Sequence, residues 1–254
     1  RCYGSFVFNA PTTTGIYTLS LHAAVPICQV TAMVGDNYLT AGRTAAASSV
    51  SIQHLARKDS KVLGMIGAGH QSTFQMRAAL EQRDFEKVVG WNYHPEMLSR
   101  LGDLAEELGL PFESVSLDEL GAQADVIISI TSSFDPILMA AQVKPGTHIA
   151  CMGTDPKGKQ EVESALIAKA KVFTDEIAQS VSIGECQHAI AEGLITESQI
   201  TVIGAVINGL HSSRTTDDEI TLFDGTGVGL QDLAVATAAV ELAIASGDAI
   251  EIDF

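Results

Sequence analysis

The feature that most constrains this chain is the passage from Val62-Leu63-Gly64-Met65-Ile66, an unbroken apolar run, into Gly67-Ala68-Gly69-His70-Gln71-Ser72. A short apolar run ahead of a glycine pair reads as a buried strand that turns sharply into a helix. Gly67 and Gly69 let the backbone turn and approach a diphosphate, and the first turn of the helix offers unpaired N–H groups to its charge. Ser72 takes the third position of the G-x-G-x-x-G fingerprint and is small enough for close helix–strand packing. Strand, turn and helix in this order predict a dinucleotide site. A tight glycine turn without a ligand is the rival reading.

The text around this motif alternates in the same way. Apolar strands are expected at residues 62–66, 87–91, 112–115, 125–131, 148–152, 171–174 and 219–223, with helices at 70–82, 95–108, 117–122 and 230–245. Strands without polar alternation, separated by helices, predict an α/β fold: a Rossmann-type doubly wound parallel sheet covered on both faces. Ahead of it, residues 30–34 read as a short strand, 35–37 as a turn, and Thr40 as the cap of a helix ending near Arg57. The small residues Ala45 to Ser49 on that helix are read as a packing surface. Residues 1–27 show no clear period.

Charge and cysteine usage narrow the partners. A formal net charge of −16 over 254 residues disfavours nucleic acid, which needs clustered Lys and Arg. An anionic substrate must then be drawn in by a few local cations. The four cysteines form no CxxC pair and no zinc-type spacing, so neither disulfides nor a metal are expected and a cytoplasmic setting is. No uninterrupted apolar run reaches the length of a membrane span, and no membrane partner is expected.

Three further stretches carry candidate chemistry. Trp91-Asn92-Tyr93-His94 ends the second strand, where a carboxylate would hold the ribose of NAD or an Arg the phosphate of NADP. Asn92 can bond a ribose hydroxyl and no Arg stands beside it, so NAD(H) is favoured. Gly153-Thr154-Asp155-Pro156-Lys157-Gly158-Lys159-Gln160-Glu161 leaves the carboxyl end of the fifth strand, where such sheets bind ligands. Asp155 could exchange a proton with a substrate nitrogen, and Lys159 could bind a carboxylate or phosphate; an Asp-Pro turn with exposed lysines is the plainer alternative. Asp224-Gly225-Thr226-Gly227-Val228-Gly229 precedes the last helix and is read as offering backbone amides to a nicotinamide or carboxylate. Glu185, Cys186 and His188 sit close together with Asp175 upstream, and are read as capping and packing rather than as a metal site.

These motifs, with Leu39-Thr40-Ala41-Gly42-Arg43-Thr44-Ala45-Ala46, resemble the ornithine cyclodeaminase/mu-crystallin family from about Val30 to the C-terminus. Within the family, the stretch from Lys61 to Ser72, the run Gly90-Trp91-Asn92 and the loop from Asp224 to Asp232 are most similar to members that reduce iminosuccinate to L-aspartate with NADH. The resemblance implies that Asp155 is the acid/base residue and that Arg43 holds a substrate carboxylate. It implies a cofactor lining of Gly67, Gly69, His70, Gln71, Asn92, Thr131 and Gly153, with Lys159, Gly225 and Thr226 closing the site. The expected ligands are NAD(H) and a small dicarboxylic imino or amino acid. A homodimer is expected of the complete family member.

Family members place a longer α+β segment ahead of this point, with a Lys and another Arg for the substrate. Residues 1–27 contain no Lys and are expected to be an atypical segment joined to a shortened frame. Residues 28–56 would then be a remnant of the substrate/dimerisation domain, 57–225 the NAD-binding domain, and 226–254 a loop and helix returning to the first. Two other activities fit the resemblance: an ornithine- or lysine-type cyclodeaminase with bound NAD, and a non-catalytic NAD(P)H-binding protein of the mu-crystallin sort. Cyclodeaminases usually carry Ser where this chain has Gly225, which favours the reductase reading.

Overall fold

The computed structural model describes residues 5–7 and 32–252. Most of the stretch 1–27, and Val30 and Thr31 of the expected first strand, lie outside the described residues. In chain order the first elements are β1 (Ser5–Val7), α1 (Asp36–Leu55), β2 (Val62–Ile66), α2 (Ser72–Leu80) and β3 (Lys87–Trp91). Then come α3 (Ser99–Glu107), β4 (Phe112–Ser114), α4 (Leu117–Gln123), β5 (Val126–Ser129), β6 (His148–Cys151), α5 (Ser164–Lys169) and β7 (Lys171–Thr174). The last are α6 (Ile177–Ser180), α7 (Gln187–Ala191), β8 (Ile200–Val202), α8 (Ile203–Ile207), β9 (Thr221–Asp224), α9 (Gly229–Ser246) and β10 (Ile250–Ile252).

Two compact units result, one of Thr44–Val228 and one of Arg1–Arg43 with Gly229–Phe254. The larger holds an eight-stranded sheet in the order β4-β3-β2-β5-β6-β9-β7-β8. Every pairing in it is parallel. The direction of winding reverses between β2 and β5, so the glycine turn leaves the sheet at the switch point where such folds take their ligands.

Both faces of the sheet are buried, as the unbroken apolar strands require. Leu63, Met65, Val88, Ile128, Phe173 and Phe223 pack on one face with Ile52, Met76 and Leu101 from α1, α2 and α3. Ile66, Val89, Ile127, Ile149, Val172 and Leu222 pack on the other with Leu120, Leu166 and Ala189 from α4, α5 and α7. The small residues of α1 do serve packing: Ala45 and Ser48 are buried, and Ser49 Oγ donates to Ala78 O at 3.2 Å.

Several expected boundaries shift. Thr40 lies inside α1, which starts at Asp36. Residues 32–34 form no strand, with a single bridge at Met33. The segment expected as one helix from Pro95 begins as a 3₁₀ turn, Pro95–Leu98, before α3. α4 gains a capping box, in which Ser116 and Glu119 satisfy each other's backbone N–H. Strand β8, at the sheet edge, was not anticipated; three residues are too few to show a period.

In the smaller unit, β1 and β10 pair antiparallel. Helix α9 carries exposed Leu230, Leu233, Leu242 and Ile244. Among the described residues it is the one helix long and apolar enough to cross a membrane by length and composition, with a mean hydropathy of 1.3 over 18 residues. Asp232 and Glu241 interrupt it, which is why no continuous apolar run shows in the sequence.

Candidate active site

Gly67 turns the chain out of β2 with φ +102°, a conformation other residues rarely adopt. A Cβ on it would also lie 2.5 Å from Ile130 O, just past the end of β5. Over Gly69 the space is open, with no atom within 4 Å of where a Cβ would sit. Ser72 Oγ donates to Gly69 O at 2.7 Å where α2 begins. Gln71 Oε1 is buried and has no hydrogen-bond partner among the described residues. His70 is exposed, its ring 5.7 Å from that of Phe74. Bare backbone at Gly69, an orphaned acceptor at Gln71 and the start of a helix together fit a dinucleotide's diphosphate and ribose.

Asn92, expected beside the ribose, grips the glycine turn itself. Its Oδ1 accepts the Ala68 N–H at 3.1 Å, and its Nδ2 donates to His94 O at 2.8 Å. The neighbouring Tyr93 is exposed.

The carboxyl ends of β5 and β6 lead to Thr131 and Gly153, and one side chain joins them. Glu161 Oε1 accepts from Ser129 Oγ at 2.7 Å and from Thr131 N at 2.7 Å, and its Oε2 accepts from Gly153 N at 2.8 Å. Glu185 Oε1 in turn accepts from the Glu161 and Val162 amides, each at 2.8 Å, while Thr154 Oγ1 donates to its other oxygen. Burial pushes Glu161 up, against the pull of its donors. Burial and then the Glu161 charge push Glu185 up to about 8.

Asp155 lies in the loop beyond Gly153 with its side chain 76% exposed. Lys159 is nearly buried, and its Nζ donates to Asp155 Oδ1 and to Gly153 O, both at 2.8 Å. The two residues expected to handle proton and anion are therefore one ion pair. Gln187 accepts from Gly158 N at 2.7 Å and holds this loop from α7.

Three amides of the loop after β9, which the sequence suggests could face a ligand, have partners within the chain. Gly225 N donates to Cys151 O at 2.9 Å. Asp175, at the end of β7, accepts from Thr226 N at 3.0 Å, Thr226 Oγ1 at 2.5 Å and Gly227 N at 2.9 Å. Thr226 and Gly227 are thus shaped from within by a carboxylate, and Gly225 by the Cys151 carbonyl. Asp224 is fully buried beside them; burial raises it to about 6, against the Ser180 hydroxyl that donates to Oδ2 at 2.5 Å.

Arg43 belongs to the smaller unit, where its Nε meets Asp232 Oδ1 at 2.9 Å. Among the described residues no cluster of three or more His, Cys, Asp or Glu is placed to hold a metal. Glu185, read from the sequence as a cap, bonds backbone amides. A groove of about 490 Å³ lined by Arg77, Arg83, Phe85 and Leu110 opens at the incoming ends of β3 and β4. It is remote from the loops that leave the strands.

Sequence reasoning missed Glu161, Glu185 and Asp175 as organisers of these loops. The available signal was an acidic residue among small and apolar ones, as in Ile183-Gly184-Glu185-Cys186; a carboxylate in such company needs donors.

Comparison with known proteins agrees with this geometry. The chain is 68% identical over 225 residues to the iminosuccinate reductase of Paracoccus denitrificans, covering 89% of this chain and 70% of that one. The crystal structure of that reductase in complex with NAD+ superposes with a TM-score of 0.87 at 67% identity, over 90% of this chain and 70% of that one. An archaeal alanine dehydrogenase dimer with bound NAD gives a TM-score of 0.86 at 34% identity, over 89% and 71%. The ornithine cyclodeaminase/mu-crystallin family model matches residues 17–247, reaching into the stretch read as atypical. With the glycine turn at the switch point of a parallel sheet and this match over most of its length, the chain belongs to the ornithine cyclodeaminase/mu-crystallin family.

Proposed function

We propose that this chain is an NADH-dependent imine reductase that converts iminosuccinate to L-aspartate, working as a cytoplasmic homodimer. The observation that carries the reading is the exposed Asp155 at the outgoing end of β6, ion-paired with Lys159, in a chain 68% identical to an iminosuccinate reductase. The bare backbone at Gly69 and the orphaned Gln71 oxygen suit the cofactor. Bound NADH supplies the hydride. Asp155 carries the proton that the substrate nitrogen gains as its carbon is reduced, and Lys159 orients that carboxylate. Arg43 receives a substrate carboxylate, its guanidinium fixed from the Nε side by Asp232. A local cation of this kind is what a chain of net charge −16 needs to hold a dianion.

The test is NADH oxidation with iminosuccinate by the wild-type chain and by Asp155→Asn. Turnover should drop about 10²–10⁴-fold in the variant while NADH affinity holds, since only the titrating proton is lost. An Asn variant that turns over normally would reduce Asp155 to a turn residue. Faster turnover with pyruvate and ammonia than with iminosuccinate would move the assignment to an alanine dehydrogenase.

A further inference from the structure

We infer that Glu161, seated by Glu185, is a positioning residue that fixes the separation of the Thr131 and Gly153 strand ends, and with it the seat of the nicotinamide and of Asp155. The inference rests on the reductase reading for its kinetic part and on the structure for the rest. Thr131 and Gly153 follow β5 and β6, adjacent strands that hydrogen-bond up to Ser129 and Cys151. Beyond that point the strands end. The Glu161 carboxylate takes over, with Thr131 N on one oxygen and Gly153 N on the other.

The fit leaves no slack. A Cβ at Gly153 would lie 2.4 Å from Thr131 O and 2.8 Å from the Glu161 carboxyl carbon. The next layer is as fixed, because Glu185 holds the Glu161 and Val162 amides on one oxygen. Glu161 is 1% exposed and Glu185 fully buried. Burying two carboxylates side by side costs several kcal/mol each, and well-packed apolar residues are commonly as stable. Stability alone therefore does not account for the pair. What apolar residues cannot supply is a set of acceptors for three donors at the ends of two neighbouring strands.

The two carboxylates differ in what an amide would do in their place. Glu161 receives N–H donors on both oxygens, so Glu161→Gln sets an NH₂ against the Thr131 or the Gly153 N–H. Glu185 receives two amides on one oxygen and the Thr154 hydroxyl on the other. That hydroxyl can turn to accept, so Glu185→Gln reproduces the neutral acid, the form that a value near 8 favours at pH 7.

Both variants would be measured as full chains for NADH affinity by fluorescence titration, for kcat and KM with iminosuccinate, and for thermal unfolding. Glu161→Gln should bind NADH roughly 10–100-fold more weakly, the scale of losing one charge-assisted bond and opposing two donors. Its kcat should fall by a similar factor while KM for the imino acid changes by less than about threefold, because the proton-carrying Asp155 is displaced whereas Glu161 holds no substrate-binding cation. Glu185→Gln, which keeps an acceptor for the two amides, should weaken each quantity in the same direction but by a smaller factor than Glu161→Gln. Glu161→Gln with unchanged NADH affinity and kcat would overturn the inference. NADH affinity reads the inference even if the wild-type chain does not reduce iminosuccinate, so the two failures are distinct. Should Glu161→Gln not fold, amide exchange of the wild-type chain decides. Thr131 and Gly153 amides protected like those of Ile128 and Ala150 support the inference, and exchange at loop rates overturns it.

Discussion

Gly153→Ala is the smallest change that should separate the two central strand ends. The added Cβ would lie 2.4 Å from Thr131 O, where ordinary contact begins at 3.4 Å, so the neighbour must retreat by about 1 Å. That neighbour is backbone, and its own amide is held 2.7 Å from Glu161, so it cannot rotate away as a side chain would. Overpacking of this kind costs about 1–3 kcal/mol. Displacing the Gly153 N–H from a carboxylate adds about 1.5–3 kcal/mol if the bond is lost outright. The two costs relieve one another, so about 2–4 kcal/mol in unfolding free energy is expected. A displacement near 1 Å at a reacting group can lower turnover by about 10²-fold. Urea denaturation and steady-state NADH oxidation read the two effects. Full stability and full turnover in Gly153→Ala would refute the reasoning, since the clash is with atoms that have nowhere to go.

Tyr93 is exposed next to Asn92 with no Arg at the end of β3, so wild type should bind NADH more tightly than NADPH; Tyr93→Arg should narrow or reverse that ratio in paired titrations by supplying a phosphate partner. His148 is fully buried between Ser51 Oγ and Thr221 Oγ1, and burial, then Arg214 and Arg83, push it from 6.5 down to about 3. The folded chain keeps it neutral while the unfolded chain takes up a proton below about 6.5, so its contribution is complete above that pH and is lost as pH falls towards 3, by on the order of 5 kcal/mol at most. Denaturation at pH 7, 5 and 4 should show a decline that His148→Asn flattens; equal slopes in both would dissociate the histidine from acid sensitivity.

How much of this was legible in the sequence depends on how far apart the interacting residues lie. The turn at Gly67, the strands around it and the helix from Ser72 are local, and their residue types alone require them: an apolar run, two glycines, a small residue. The region between β7 and β9 was read poorly for a related reason. Its helices α6, α7 and α8 have four or five residues and β8 has three, too short for a period of 3.6 or 2 to emerge. Asp155 and Lys159 are neighbours in sequence, and the structure adds that they are partners. The organising carboxylates are harder to read because most of their donors are remote in sequence. Glu161 lies 30 residues from the Thr131 amide, Glu185 24 from the Glu161 amide, and Asp175 51 from the Thr226 amide.

That arrangement also reconciles the chain's charge with an anionic substrate. A net charge of −16 would repel a dicarboxylate if the acids at the outgoing strand ends faced it. Glu161, Glu185 and Asp175 instead turn their oxygens towards backbone N–H groups and hydroxyls of the loops they hold. A carboxylate surrounded by donors has much of its field offset by the dipoles pointed at it. In the Asp155 loop the exposed carboxylate is paired with Lys159, whose ammonium is anchored to Gly153 O. The acids that shape the site are thus the ones least able to repel its ligand, and removing any one of them exposes N–H donors rather than relieving repulsion. This gives the Glu161→Gln experiment its sign: if the buried carboxylates acted mainly through charge, neutralising one would tighten the binding of an anionic cofactor, whereas a positioning role requires that it weaken.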